Sequence, residues 1–314
     1  FLLLPLAAAY RVGRFCFGVA YYFDWKHRRR TISHLLHAGV VSTLQDARKT
    51  AHEVYCKMGM LFVEIIQMSK CYDPSRFRLT GDAEAVRWIE EEEPNRSFIF
   101  LTAHYGNWEF AGPAIANYCR TPLTSIMRPF SNPKIGELVL KHRRSPMHTL
   151  VEKEGGIRDL LRALKRNQMV AVLVDQHAAT GEGVETLFFG QPARTHTSVA
   201  KLHLKTGVPM AMTVTRRYGK NFEFEMVFGK LIRYQPTDDP EKDIRIVTQL
   251  FTWELEKLIR QDITQWMWLH RRWLNLGRHD YEPVMMERAQ QAWRETQEYL
   301  AAQEKNENSR PSDL

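Results

Sequence analysis

Ser97-Phe98-Ile99-Phe100-Leu101-Thr102-Ala103-His104-Tyr105-Gly106-Asn107-Trp108-Glu109 is the stretch on which the reading of the chain turns. Residues 97–102 are apolar, short and rich in Phe and Ile, so they predict a buried strand. The strand runs straight into a histidine, a Gly106-Asn107 turn and a segment, 107–118, with helical patterning. Strand, polar turn and helix in succession form the elementary unit of parallel α/β sheets, whose reactive groups gather at strand ends. Asn107 is a candidate N-cap, which places Glu109 in the first helical turn, where the helix dipole favours a carboxylate. Five positions apart, His104 and Glu109 would not share a face of one continuous helix. With a turn between them, the carboxylate can reach back to one imidazole nitrogen, fix its tautomer and stabilise the imidazolium. The bland alternative at this point is that His104 satisfies a loop and Glu109 decorates a helix start.

Outward from this stretch, strands at 123–127, 170–174, 209–215 and 222–228 alternate with helices. The helices are expected at 43–70, 82–93, 132–144, 156–166, 197–206 and 241–260. That alternation predicts an α/β fold with a largely parallel central sheet flanked by helices. The 314 residues fit one large domain with added helices. The expected division is an N-terminal membrane anchor and basic flank over 1–30, a catalytic domain over 31–285, and a polar helix and tail over 286–314. No internal repeat is visible.

The composition, 44% hydrophobic and 25% charged, excludes wholesale disorder and a polytopic membrane protein. Residues 1–23 are apolar except for Arg11 and Arg14, and Lys26-His27-Arg28-Arg29-Arg30 follow at once. This predicts an N-terminal membrane-associated helix. A spanning helix needs roughly 20 mainly apolar residues, and each central arginine costs about 2.5–3.5 kcal/mol, so a helix lying in the interface is the competing expectation. The basic cluster places the downstream chain on the cytoplasmic side of the membrane. The net charge of +8 favours anionic partners: nucleic acid, anionic lipid or an acidic carrier protein. Cys16, Cys56, Cys71 and Cys119 have neither paired spacing nor histidines at zinc-site intervals, so no metal is expected and the thiols suit a reducing compartment.

A set of motifs in a fixed order sharpens this picture. After His104-Tyr105-Gly106-Asn107-Trp108-Glu109 come Arg128-Pro129 with Asn132-Pro133, Arg143-Arg144, Lys153-Glu154-Gly155 and Val174-Asp175-Gln176. Phe188-Phe189-Gly190-Gln191-Pro192-Ala193 and Gln265-Trp266-Met267-Trp268-Leu269-His270-Arg271-Arg272-Trp273 complete it. The region from Ser97 to Trp273 resembles the bacterial lipid A biosynthesis acyltransferases, the late lauroyl and myristoyl transferases of the glycerolipid acyltransferase superfamily.

The resemblance implies transfer of a fatty acyl group from an acyl thioester, on acyl carrier protein or coenzyme A, to a hydroxyl of a glycolipid. A lipid A precursor is the first expectation, and related enzymes acylate phosphatidylinositol mannosides. It implies His104 as general base, Glu109 as its orienting partner, and catalytic roles for Asp175 and for Arg144 or its neighbour Arg143. A guanidinium there can stabilise the oxyanion of an attacked thioester, although a solvated basic face is the simpler reading of the pair. Asn107, Arg128, Asn132, Lys153, Gln176 and His196 are the candidate substrate-binding residues. No cofactor is implied, and the expected site of action is the cytoplasmic face of a bacterial inner membrane. The loop after Gln176, beginning His177-Ala178-Ala179, departs from the commonest pattern.

Other chemistries lack their motifs. There is no G-x-S-x-G nucleophile elbow, Walker A loop or paired-glycine dinucleotide fingerprint. A non-enzymatic reading survives: Trp266 to Trp273 interleaves aromatics with arginines, as proteins that stack bases and grip phosphates do. An aromatic helix end closing the core is the alternative for that segment, and nucleic acid is not the expected partner.

Overall fold

The computed structural model describes residues 1–91, 96–127, 147–219, 221–273 and 283–308. Helices α1 (Leu6–Phe23), α2 (Trp25–His37) and α3 (Leu44–Cys71) open the chain. Strand β1 (Phe77–Gly81) and α4 (Ala83–Glu90) lead to β2 (Ile99–Gly106), α5 (Trp108–Cys119) and β3 (Leu123–Met127). Next come β4 (His148–Glu152), α6 (Lys153–Leu164), β5 (Met169–Leu173), the hairpin β6 (Gly183–Phe188) and β7 (Gln191–His196), and α7 (Ser198–Thr206). Strands β8 (Met210–Arg217) and β9 (Phe224–Ile232) and helices α8 (Pro240–Gln261) and α9 (Pro283–Asn308) follow.

Among the described residues, seven strands make one sheet in the order β1-β9-β8-β2-β5-β3-β4, parallel at every pairing but β8 with β9. This is the α/β class with a mostly parallel sheet that the sequence predicts. Along the central strand β2 the side chains alternate between two buried faces, as the period of two requires. Ile99, Leu101, Ala103 and Tyr105 pack in the core under α7 and α8, while Phe98 and Phe100 join Phe110, Ala114 and Ile115 of α5 on the other side.

Several elements differ from expectation. Strand β2 runs on to Gly106, so His104 stands within it; the register with β8 shifts between Thr102 and Gly106. Gly106 holds φ +57, and a Cβ there would lie 1.9 Å from the Thr215 carbonyl oxygen, so the turn admits only glycine. The edge strands β1 and β4 and the β6–β7 hairpin were not anticipated. Both edge strands alternate irregularly between buried and exposed positions, and such short strands carry little periodic signal. The helix expected over 132–144 lies outside the described residues.

Helix α1 packs along α3 at very close range. Gly13 and Gly59 face one another, and a Cβ on either would come within 2.6 Å or less of the other's carbonyl oxygen. Arg14, a charge that counted against a spanning helix, is held by two 2.9 Å hydrogen bonds to Glu53 of α3. Tyr10 donates to Glu64 at 3.0 Å, and Glu64 forms a buried ion pair with Arg217 of β8, joining α1 and α3 to the sheet. Among the described residues no helix is long and apolar enough to cross a membrane. The outward face of α1 is nevertheless apolar: Phe15 is 71% and Phe23 83% exposed, with Val19 and Tyr22 between them.

Candidate active site

The parallel register of β2 and β5 pairs Thr102 with Leu173, so two residues farther on His104 and Asp175 emerge side by side at the same sheet edge. The Asp175 carboxylate is completely buried and its position is fixed from three directions. It accepts from the His104 backbone N–H at 2.9 Å and from the Trp266 indole N–H at 2.9 Å, and its other oxygen lies 2.8 Å from His104 Nδ1. Burial works to raise the Asp175 pKa, but the neighbouring His104, its hydrogen bonds and His270 outweigh it and hold the carboxyl well below its usual range. An ionised carboxylate only accepts, so the His104 proton sits on Nδ1 and the Nε2 lone pair is left for chemistry.

The sequence reading gave the orienting carboxylate as Glu109. The structure puts Asp175, 71 positions away, on Nδ1. Glu109 is buried in the first turn of α5 and accepts from the Trp108 indole at 2.8 Å, and it lines the same cavity as His104. Asn107 is the N-cap of α5, its Oδ1 accepting from Phe110 N at 3.0 Å. Fully buried, it does not border the cavity among the described residues.

That cavity has a volume of about 790 Å³. One wall is apolar, with Ile126, Ile157, Leu161, Val172, Val199 and Leu202. His104, Glu109, Gln176, His196 and His270 stand on the polar side. Arg158, Lys201 and Lys205 add three exposed cations to the lining. Gln176 and His196, both singled out in the sequence, thus border the same cavity as His104, and His196 Nδ1 lies 3.7 Å from Glu182. Arg128, Asn132, Arg143 and Arg144 lie outside the described residues, as does the Lys153 side chain.

Sequence reasoning missed His270 and Trp266 as neighbours of His104. The His270 ring centroid is 4.4 Å from that of His104, and burial, together with His104, pushes its pKa down to about 4, leaving it neutral. Both residues were visible in the motif that ends at Trp273, but nothing in that motif says which atom faces which. The segment is not a helix end. A short 3-10 turn, Ile263–Gln265, gives way to extended chain in which Trp266 pairs antiparallel with Tyr105, and Met267 N donates to the His104 carbonyl at 2.9 Å. Trp266, Trp268, Arg272 and Trp273 are all buried. Arg272 donates to the Gln176 and Arg194 carbonyls and to the Thr195 hydroxyl, tying down the loop after Asp175. Its burial pushes its pKa down to about 10.

Comparison with known proteins agrees with the motifs. The family model described as bacterial lipid A biosynthesis acyltransferase matches residues 3–275. A phosphatidylinositol mannoside acyltransferase of Mycobacterium tuberculosis strain H37Rv is 26% identical over 179 residues, 56% of this chain and 54% of that protein. Its counterpart in strain CDC 1551 matches to the same extent. The chain thus spans about half the length of the curated relatives it matches. From the extent of the family match, covering nearly the whole described fold, this chain belongs to the bacterial lipid A biosynthesis acyltransferase family.

Proposed function

We propose that the chain transfers a fatty acyl group from an acyl thioester to a hydroxyl of a glycolipid, with His104 as general base. The observation that carries this reading is the Asp175–His104 pair set into the wall of a large, half-apolar cavity. His104 Nε2 takes the proton of the acceptor hydroxyl as its oxygen attacks the thioester carbonyl carbon. The tetrahedral intermediate collapses, the C–S bond breaks, and the imidazolium returns the proton to the departing thiolate. Glu109 adds a second buried negative charge that favours the transient imidazolium. Arg143 or Arg144 is the proposed partner of the oxyanion. The apolar wall suits an acyl chain, and Arg158, Lys201 and Lys205 suit the phosphates of a coenzyme A or carrier-protein donor.

For the acceptor, the family description favours a lipid A precursor, while the curated relatives favour a phosphatidylinositol mannoside. Mass spectrometry of glycolipids from cells with and without the protein separates the two. Membrane association completes the proposal: the outward face of α1, flanked by exposed Arg11, Lys26 and Arg29, lies in the interface of an anionic inner membrane on its cytoplasmic face. The nucleic-acid alternative loses its support, because Trp266, Trp268 and Arg272 are buried and offer no stacking surface. The decisive test is His104→Ala in an assay with acyl thioester and glycolipid. A loss of about 10²–10⁴-fold in kcat is expected, and near-normal turnover of the folded variant rejects the reading.

A further inference from the structure

Asp175 depends on a third donor that the mechanism above does not use. Trp266 is 1% exposed and does not border the cavity among the described residues, so it touches no reacting atom. Its indole N–H lies 2.9 Å from Asp175 Oδ2, the oxygen that also receives the His104 backbone N–H. Its ring is wedged edge-on against Trp268 and Phe188, at 4.6 and 5.6 Å between centroids. The backbone around it is equally constrained. Gln265 exchanges hydrogen bonds with the Arg217 backbone N–H and carbonyl, and Met267 N caps the His104 carbonyl. His104 is thereby bracketed at its N–H, its carbonyl and its ring by two carriers, Asp175 and the 265–267 segment.

We infer that Trp266 is a positioning residue for acyl transfer: its buried indole N–H pins the Asp175 carboxylate so that one oxygen stays turned to the His104 Nδ1–H. The inference rests on the reading of His104 as base. A carboxylate held by the imidazole alone could swing its plane about the Cβ–Cγ bond; with the second oxygen held by two N–H donors, the plane is fixed with the first oxygen on the imidazole. Removing the indole donor leaves Asp175 less well solvated by the protein and therefore a stronger partner for a charged imidazole. The groups that bear on His104 are Asp175 from the β5 end, Glu109 from α5 and His270 from the following segment, with Arg272 acting on Asp175.

Trp266→Phe keeps an aromatic ring in place and deletes the donor. The expected kcat is lower by roughly tenfold or more, the size of one hydrogen bond to a charged group, with KM within about twofold. The acid limb of the kcat profile moves to higher pH, because a stronger carboxylate partner keeps the imidazole protonated longer. Trp268→Phe is the control, since that indole donates to the Ile263 carbonyl rather than to Asp175; it leaves the acid limb where it was. Ring-nitrogen NMR of His104 in the same proteins reads its tautomer and titration without reference to turnover. A His104 titration unchanged between wild type and Trp266→Phe overturns the inference whatever happens to kcat. An active His104→Ala variant alongside a shifted titration sinks the reading of His104 as base and leaves only the hold of Trp266 on the Asp175–His104 pair. Should Trp266→Phe not fold, replacing Trp266 with benzothienylalanine exchanges only the indole N–H for sulfur and supplies the same two readouts.

Discussion

His104 and Asp175 make a unit whose parts fail differently. Asp175→Asn keeps the volume but replaces an acceptor-only group with one that can donate, so the imidazole is free to take the tautomer with its proton on Nε2. A fall in kcat of about 10²–10⁴-fold with little change in KM is expected, as for other orienting carboxylates; steady-state kinetics of the purified variant checks it. Wild-type kcat would return the orienting role to Glu109. The arginines make a separate prediction. If Arg143 or Arg144 stabilises the oxyanion, Ala lowers kcat more than it weakens donor binding, and Lys rescues poorly because an ammonium lacks the planar fork of donors. Full activity of the Lys variants, with a defect in KM that follows salt, would mark a docking patch instead. Of this pair the sequence singled out both members, since each follows an apolar run. It did not disclose their pairing, because register between strands 71 positions apart is fixed by three-dimensional packing.

At the level of elements, α2 clamps the segment that carries Trp266. Its Arg30 donates to the Leu269 carbonyl at 2.9 Å, and His34 Nδ1 lies 3.0 Å from the Trp268 carbonyl. Burial pushes the His34 pKa down to about 4, below the ordinary 6.5. Because the folded state resists a proton that the unfolded chain accepts, His34 contributes stability above pH 6.5 that is lost as pH falls toward 4. Thermal unfolding followed by circular dichroism should show Tm declining over that window, with a shallower decline in His34→Asn, whose amide can still donate to a carbonyl. Equal slopes in the two proteins would contradict the account. Helix α1 makes its own prediction. Phe15→Asp with Phe23→Asp removes two large exposed side chains, each contributing about 1.5–3 kcal/mol when fully buried. Binding to vesicles containing anionic lipid should drop at least tenfold, and unchanged sedimentation with vesicles would reject the interfacial placement. The apolar character of α1 was legible in the sequence, but its division into a face against α3 and a face outward was not. Gly13 and Gly59 make the contact, and residues without side chains carry no periodic hydrophobic signal.

For the molecule as a whole, the net charge of +8 predicts that association with anionic membranes weakens as salt is raised, while the apolar contribution of α1 persists. Vesicle sedimentation at low and high salt checks this, and identical binding at both would remove charge from the account. The alternation of strands and helices told the fold class correctly because each buried strand of a parallel sheet is a compact apolar run. The β6–β7 hairpin, with Glu185 and Arg194 paired across it at 2.9 Å, escaped notice because its strands mix charged and small residues. The seam between α1 and the body has a preparative consequence. Tyr10, Glu64 and Arg217 form a buried chain from α1 through α3 to β8. Trimming α1 away would strip the Tyr10 donor from Glu64, a hydrogen bond to a charged group being worth about 1.5–3 kcal/mol, and would uncover the Glu64–Arg217 pair and the groove at Gly59. On the proposed interfacial placement of α1, repainting its outward face with polar side chains while leaving Tyr10, Gly13 and Arg14 untouched releases the protein from the lipid surface and keeps its architecture.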